Sequence, residues 1–434
     1  MTIHLEQQMA DVSESPRPSP LHPGPLAWRA AKVLILVVTA FALASRFEVD
    51  DPGPDALLYH GIAVNLIQGS GFVDTVRNND LLPPIGHPAI LAMTDAVLGD
   101  SDGYSRPAIA AGFLLFMLAI QAGSGSIIFA MVAGAVYALM LPQVFRQWGI
   151  ETTFFWTANL FLWTATIWWL RPGRRTAVVA GLTFAVLNLV RPLFLPWLGL
   201  GIAVFTAIAF FRRSIPGRSL ALPELLAAAA IPVAAVWAIS FGAYGDGRMV
   251  GGTYQGFALY AAFNEYVPLD RLYATTLWDD VPEARRMEGQ APMELGPPWQ
   301  HRDQVLKQKT VEFILTHPGE SLKAYAYRLR NLTVWTEGNR RLGVMGWFWL
   351  ASAGWFIWRS RARRCKRRDM QPGTIAGLGL ASAVASIGLV AVQAVFVYVG
   401  VRYNSFVIPF QLHTMALAAC VLLQLGPASA RRRV

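Results

Sequence analysis

Long apolar runs alternate with short polar breaks along most of the chain. The runs fall at about 30–46, 105–121, 125–142, 152–170, 176–191, 193–211, 219–241, 343–358, 373–399 and 405–425. Most approach the roughly 20 apolar residues that a helix needs to cross a bilayer. The breaks use helix-ending residues, as in Gly123-Ser124-Gly125, Arg171-Pro172-Gly173 and Arg191-Pro192. The pattern predicts an all-α fold, a polytopic transmembrane helix bundle of about ten spans. Run 343–358 is short, with Trp347, Trp349, Trp355 and Trp358 as markers of its interfaces. A further apolar stretch, 85–98, is too short to span and holds Gly86 and Pro88, so it is expected to lie at or dip into the membrane surface.

Two polar stretches are long enough to carry chemistry, 47–103 and 242–341. In the first, the segment from Asp55 reads as a helix. Asp55 follows Pro54 and stands in the first turn, where a carboxylate suits the positive end of the helix dipole. Tyr59, Ala63 and Leu66 recur on one face, and Gly69 and Gly71 end the helix. Such a helix is expected to lie along the membrane surface. In the second stretch, 301–316 and 319–335 read as two helices around Pro318-Gly319, with Tyr325, Leu329, Leu332 and Trp335 on an apolar face. The organisation expected is a disordered cytoplasmic tail over 1–28, a bundle over 29–241 that includes the outer loop 47–103, a helical cap over 242–341, and further spans over 342–434.

Composition agrees with a membrane protein. Of 434 residues, 54% are hydrophobic and only 15% are charged; an average soluble domain has about 25% charged residues. That leaves too little charge for a soluble surface and too much apolar mass for a disordered chain. The net charge of +10 reads as orientation in a bilayer, with no nucleic acid as partner. With the N-terminus inside, segments 171–175, 212–218, 359–369 and 431–434 face the cytoplasm and hold 16 basic residues and one acid, Asp369. The two long loops then face outward and hold 21 of the 27 acids. Both termini are expected to be cytoplasmic. The two cysteines, Cys365 and Cys420, have neither a disulfide partner nor metal-ligand spacing. The spans hold little ionisable chemistry, His413 being the group placed deep inside one, which weakens a transporter reading.

The outer loops carry the motifs. The first contains Asp55-Ala-Leu-Leu-Tyr59 and then Pro83-Pro84-Ile85-Gly86-His87-Pro88. Ile150-Glu151-Thr152-Thr153-Phe154 opens a later span, Thr316-His317-Pro318-Gly319-Glu320 joins two helices, and Val401-Arg402-Tyr403 precedes Pro409. In this order the segments resemble the GT-C integral-membrane glycosyltransferases, in their bacterial branch similar to protein mannosyltransferases and aminoarabinose transferases. That branch shows an Asp-x-x-x-Tyr helix, a Pro-Pro-Gly-Tyr-Pro turn, a Ser-Glu-Thr-Leu span opening, an Asn-Pro-Gly helix junction and an Arg-Tyr…Pro segment. This chain departs by an inserted Ile85, by His87 where Tyr is usual, and by Ala56 where a second acid is frequent.

The resemblance implies a sugar moved from a polyprenyl-phosphate donor to a glycan, lipid or protein acceptor, at the outer face of a bacterial cytoplasmic (inner) membrane. Inverting transfer needs a carboxylate to take the acceptor's proton and cations to stabilise the leaving phosphate. The family's catalytic acid corresponds to Asp55; Asp51 either assists or is itself the base. Arg402, and after it Arg191 and Arg77, are the arginines suited to the phosphate. Tyr59, His87, Glu151 and Tyr403 are expected around the substrate. No cofactor or metal is implied. A lipid or polysaccharide transporter or flippase, or a non-catalytic envelope-assembly subunit of the same fold, are the competing classes.

Overall fold

The computed structural model describes residues 25–74, 82–99, 101, 103–141, 144–212, 221–252, 255–264, 299–333, 340–361, 374–396 and 406–423. They form an all-α bundle, and each of the ten apolar runs is a helix. Helix α1 (Pro25–Ala44) begins inside the stretch read as a tail. It is followed by α2 (Pro54–Ile67), α3 (Gly86–Leu98), α4 (Ser105–Ser124) and α5 (Ile127–Met140). Then come α6 (Ile150–Leu170), α7 (Arg174–Val190), α8 (Leu195–Arg212) and α9 (Leu222–Tyr244). The second outer loop contributes α10 (Arg248–Gly251), α11 (Gln255–Ala262), α12 (Trp299–Thr316) and α13 (Pro318–Thr333). The bundle closes with α14 (Arg340–Arg361), α15 (Ile375–Phe396) and α16 (Ile408–Leu422).

Four helices, Leu26–Ala44, Ser105–Ser124, Leu222–Tyr244 and Ile375–Val395, are long and apolar enough to cross a membrane. Helix α7 and the segment after it, Arg174–Val190 and Pro192–Ala207, pass the same test together but turn through 108° at their junction. The sequence suggests a tight hairpin at Arg191-Pro192; the chain instead makes a broad corner through a short 3-10 turn, Pro192–Phe194. The remaining runs are helical, although α5 and α16 are only 14 and 15 residues long.

Helices meet in this bundle through small and hydroxyl-bearing residues. Water is absent from the hydrocarbon, so the hydroxyls turn back onto their own backbone. On α6, Thr157 donates to the Thr153 carbonyl at 2.8 Å and Thr166 to the Leu162 carbonyl at 2.7 Å. On α7, Gly181 lies against the Leu225 carbonyl of α9, where any Cβ would collide with backbone. The outward faces stay apolar, as on α1, where Leu34, Val38 and Phe41 are exposed while Leu36 and Ala40 pack inward. His413 is buried between α6 and α15, its Nε2 3.1 Å from the Thr166 hydroxyl and its Nδ1 3.0 Å from that of Ser382.

The outer loops are stitched to this frame. Glu48–Asp50 pairs in parallel with Val144–Arg146, Val49 opposite Phe145, so the first loop is tied to the segment entering α6. No period-two run announces this three-residue ribbon, and the sequence does not predict it. The two loops also meet. The Ile85 amide donates to the Met249 carbonyl at 2.7 Å, and the Phe72 amide to the Tyr244 hydroxyl at 2.9 Å.

In the second loop, α12 and α13 break at His317 as expected, because Pro318 has no amide to continue the helix. Buried Arg328 donates from Nη2 to the Ala262 carbonyl at 2.6 Å and lies over the Phe263 ring. Burial pulls its pKa down to about 10, so it remains charged at neutral pH.

Candidate functional site

Helix α2 carries the first motif. Gly53 stands at its N-cap, Pro54 follows and Asp55 lies in its first turn, half-buried. The face predicted from Tyr59, Ala63 and Leu66 packs into the main core. A second face also turns inward, since Leu58 and Ile62 pack on Phe72, Leu82 and Met249. The helix is therefore wedged between the bundle and the second loop, and it keeps only a narrow open face, rather than lying loose on a surface.

The Pro83-Pro84-Ile85-Gly86-His87 turn delivers α3 against the outer end of α7. A Cβ on Gly86 would fall onto the backbone of Leu189 and Val190, so only glycine permits this approach. Arg191 follows directly. Its guanidinium carbon lies 3.7 Å from the centre of the Phe406 ring, a cation–π contact. Phe406 in turn stands edge-on to Phe154 of α6, with ring centres 4.8 Å apart. Glu151 is three residues before Phe154 in the first turn of α6, half-buried, and its charge is felt at His87.

His87 is the hub. It is 0% exposed, and its ring stands edge-on to Tyr59, centres 4.8 Å apart. Nε2 lies 2.8 Å from the Trp148 carbonyl, which only accepts, so Nε2 carries the proton. In the neutral ring Nδ1 then accepts from the Thr153 hydroxyl at 2.8 Å. Thr153 Oγ1 accepts in turn from Tyr104 at 2.6 Å, and Tyr104 accepts from Trp156 Nε1 at 2.7 Å. The chain runs one way and fixes the tautomer. Both ring nitrogens are spent inside the protein.

Burial pushes the His87 pKa down to about 4, from about 6.5 in an unfolded chain. The unfolded state then binds the extra proton between those values. Stability from this group is full above pH 6.5, falls as pH drops, and is lost by about pH 4; the linkage is worth about 3 kcal/mol. Melting temperatures of wild type and His87→Phe across pH 4–7 should show a steeper acid loss in wild type. Parallel curves would remove His87 as the cause.

The sequence-predicted residues thus sort as follows. Asp55, Tyr59, His87, Glu151 and Arg191 gather at one end of the bundle, through Tyr59 on His87, Gly86 on the end of α7, and Phe154 and Phe406 beneath Arg191. Asp51 is exposed on the approach to α2. Arg77, Arg402 and Tyr403 lie outside the described residues, although Phe406 follows Arg402 by four positions. Sequence reasoning missed Tyr104, Trp148 and Trp156; Thr153 was within a quoted motif but without a role.

No protein-family model matches the chain. No curated protein matches it either. Among solved structures, the crystal structure of ArnT from Cupriavidus metallidurans bound to undecaprenyl phosphate is similar at a TM-score of 0.32 and 15% identity, over 90% of this chain and 78% of that one. At that level the likeness bears no weight, and the reading of the site rests on the chain's own residues.

These residues are suited to chemistry on a charged substrate at an apolar boundary. A half-buried carboxylate begins one helix, a guanidinium begins the next corner, and a rigid neutral imidazole holds their supporting elements in place. His87, with no free nitrogen, positions and does not bind.

Proposed function

We propose that this multi-pass membrane protein is an inverting glycosyltransferase that uses a polyprenyl-phosphate sugar at the outer face of a bacterial cytoplasmic membrane. The observation that carries the reading is the gathering of Asp55 and Arg191 at one end of the bundle, through Tyr59, His87 and Gly86. In the reaction the acceptor oxygen attacks the anomeric carbon. The bond from that carbon to the phosphate oxygen breaks, and the acceptor's proton passes to a carboxylate. Asp55 is the proposed base, with Asp51 as the other candidate; Arg191, with Arg402 and Arg77, is proposed to meet the leaving phosphate. Tyr59, Tyr403 and Glu151 are proposed to bound the sugar site, and His87 to hold it together. The motif order quoted above supports the same reading, as does the outward charge sorting for the side of the membrane.

The direct test supplies purified protein with polyprenyl-phosphate sugars and a mixture of envelope acceptors, and follows released polyprenyl phosphate by mass spectrometry. Release that depends on protein and acceptor supports the reading; none with any donor sinks it. Arg191→Gln is expected to lower turnover at saturating donor by about tenfold or more, because a charge-assisted contact to the leaving group is lost. An unchanged rate would leave Arg191 as a packing residue on Phe406.

A further inference from the structure

On the open side of α2, away from the site above, a cleft of about 350 Å³ lies between α2 and α3. It is lined by His60, Val64, Ile67, Gln68, Asp95 and Gly99. Its polar groups are held in place yet unspent. The His60 ring lies flat on Trp148, with ring centres 3.9 Å apart and planes within 8°. Its Nε2 stands 3.9 Å from Asp95 Oδ2, beyond hydrogen-bond reach, and that buried oxygen receives no hydrogen bond. A buried carboxylate oxygen without a donor favours a ligand that brings one. Around the cleft the same two helices expose Ile67, Met93, Val97 and Leu98, the last two at 79% and 70%. A polar notch rimmed by bare aliphatic side chains, on helices expected at a membrane surface, fits a lipid better than a water-borne solute.

The head group can be specified by charge. Asp95 calls for a cation that donates hydrogen bonds, which a primary ammonium does and a quaternary ammonium does not. His60 offers an N–H toward a phosphate, and Gln68 offers either sense of hydrogen bond. From this geometry we infer that the cleft binds a primary-amine phospholipid of the phosphatidylethanolamine type, ammonium on Asp95, phosphate beside His60, acyl chains along Val97 and Leu98. The site is separate from the proposed transfer chemistry and stands or falls without it.

The test uses delipidated full-length protein in nanodiscs and compares phosphatidylethanolamine with phosphatidylcholine of the same acyl chains, by native mass spectrometry and by melting temperature. The ethanolamine lipid should bind roughly tenfold tighter, as one charge-assisted hydrogen bond warrants, and should raise the melting temperature more. Asp95→Asn should erase the difference, and because the lipid comparison is made first on wild type, a poorly folding variant does not blunt the result. Equal binding of the two lipids, or a preference that survives in folded Asp95→Asn, would overturn the proposal. So would stabilisation by soluble phosphoethanolamine as large as that by the lipid, which would assign the cleft to a water-borne amine.

Discussion

Asp55→Asn is expected to lower sugar transfer by about 10²–10⁴-fold, the span that general-base catalysis supplies, while the protein still folds and binds its donor. The substitution keeps shape and volume. It removes the negative charge and the ability to take a proton. Asp55 sits in the first turn of α2, so a rival role exists: interaction with the helix dipole alone, worth about 0.3–1 kcal/mol. The two roles separate cleanly. A dipole role would move the melting temperature by a few degrees and leave turnover intact, whereas a base role would abolish turnover with little change in melting. Asp51 provides the internal comparison, since it is exposed just before the same helix. Loss in Asp51→Asn with normal transfer in Asp55→Asn would move the base to Asp51. Normal transfer in both would remove the carboxylate mechanism from this end of the bundle.

The fold was legible because bilayers impose coarse rules. A run of twenty apolar residues has to be helical, and Gly and Pro punctuate where it stops. The 316–319 break, the ending of α2 at Gly69 and Gly71 (both at positive φ) and the short helix 86–98 all follow from that punctuation. Direction does not follow. Arg191-Pro192 tells where α7 ends but not that the chain then turns through 108°, because the angle is set by what Phe194 and Phe406 pack against. Pairing across distance was equally silent. Tyr104, Thr153 and Trp156 are ordinary residues of apolar helices, and only folding brings Tyr104 and His87 onto the same hydroxyl. Arg328 looks like a solvated helix position from spacing alone, yet it is buried on the Ala262 carbonyl. Asp55 was legible as a helix-start acid from its own neighbours; its candidacy as a base came from the order of motifs.

Gly86→Ala is expected to be the most damaging single-methyl change at the site. In a loosely packed turn it would be mild or stabilising, since alanine restricts the unfolded chain. Here the added carbon would land on the main chain of Leu189 and Val190. Backbone cannot rotate away as a side chain can, so α3 has to withdraw from the end of α7. His87 would then be drawn off the Trp148 carbonyl and the Thr153 hydroxyl, both now at 2.8 Å. Burial of an imidazole that has lost its partners adds to the overpacking, for a combined cost of about 3 kcal/mol or more. Turnover should fall with it, because Arg191 and Asp55 are supported by the two elements being forced apart. Gly103→Ala is the matched control, as nothing lies within 4 Å of a Cβ there, and it should leave both properties unchanged. Melting temperature and transfer rate measured on the pair decide the point. If Gly86→Ala tracks Gly103→Ala, the close approach of α3 to α7 is not what assembles the site, and the link from Asp55 through His87 to Arg191 dissolves with it.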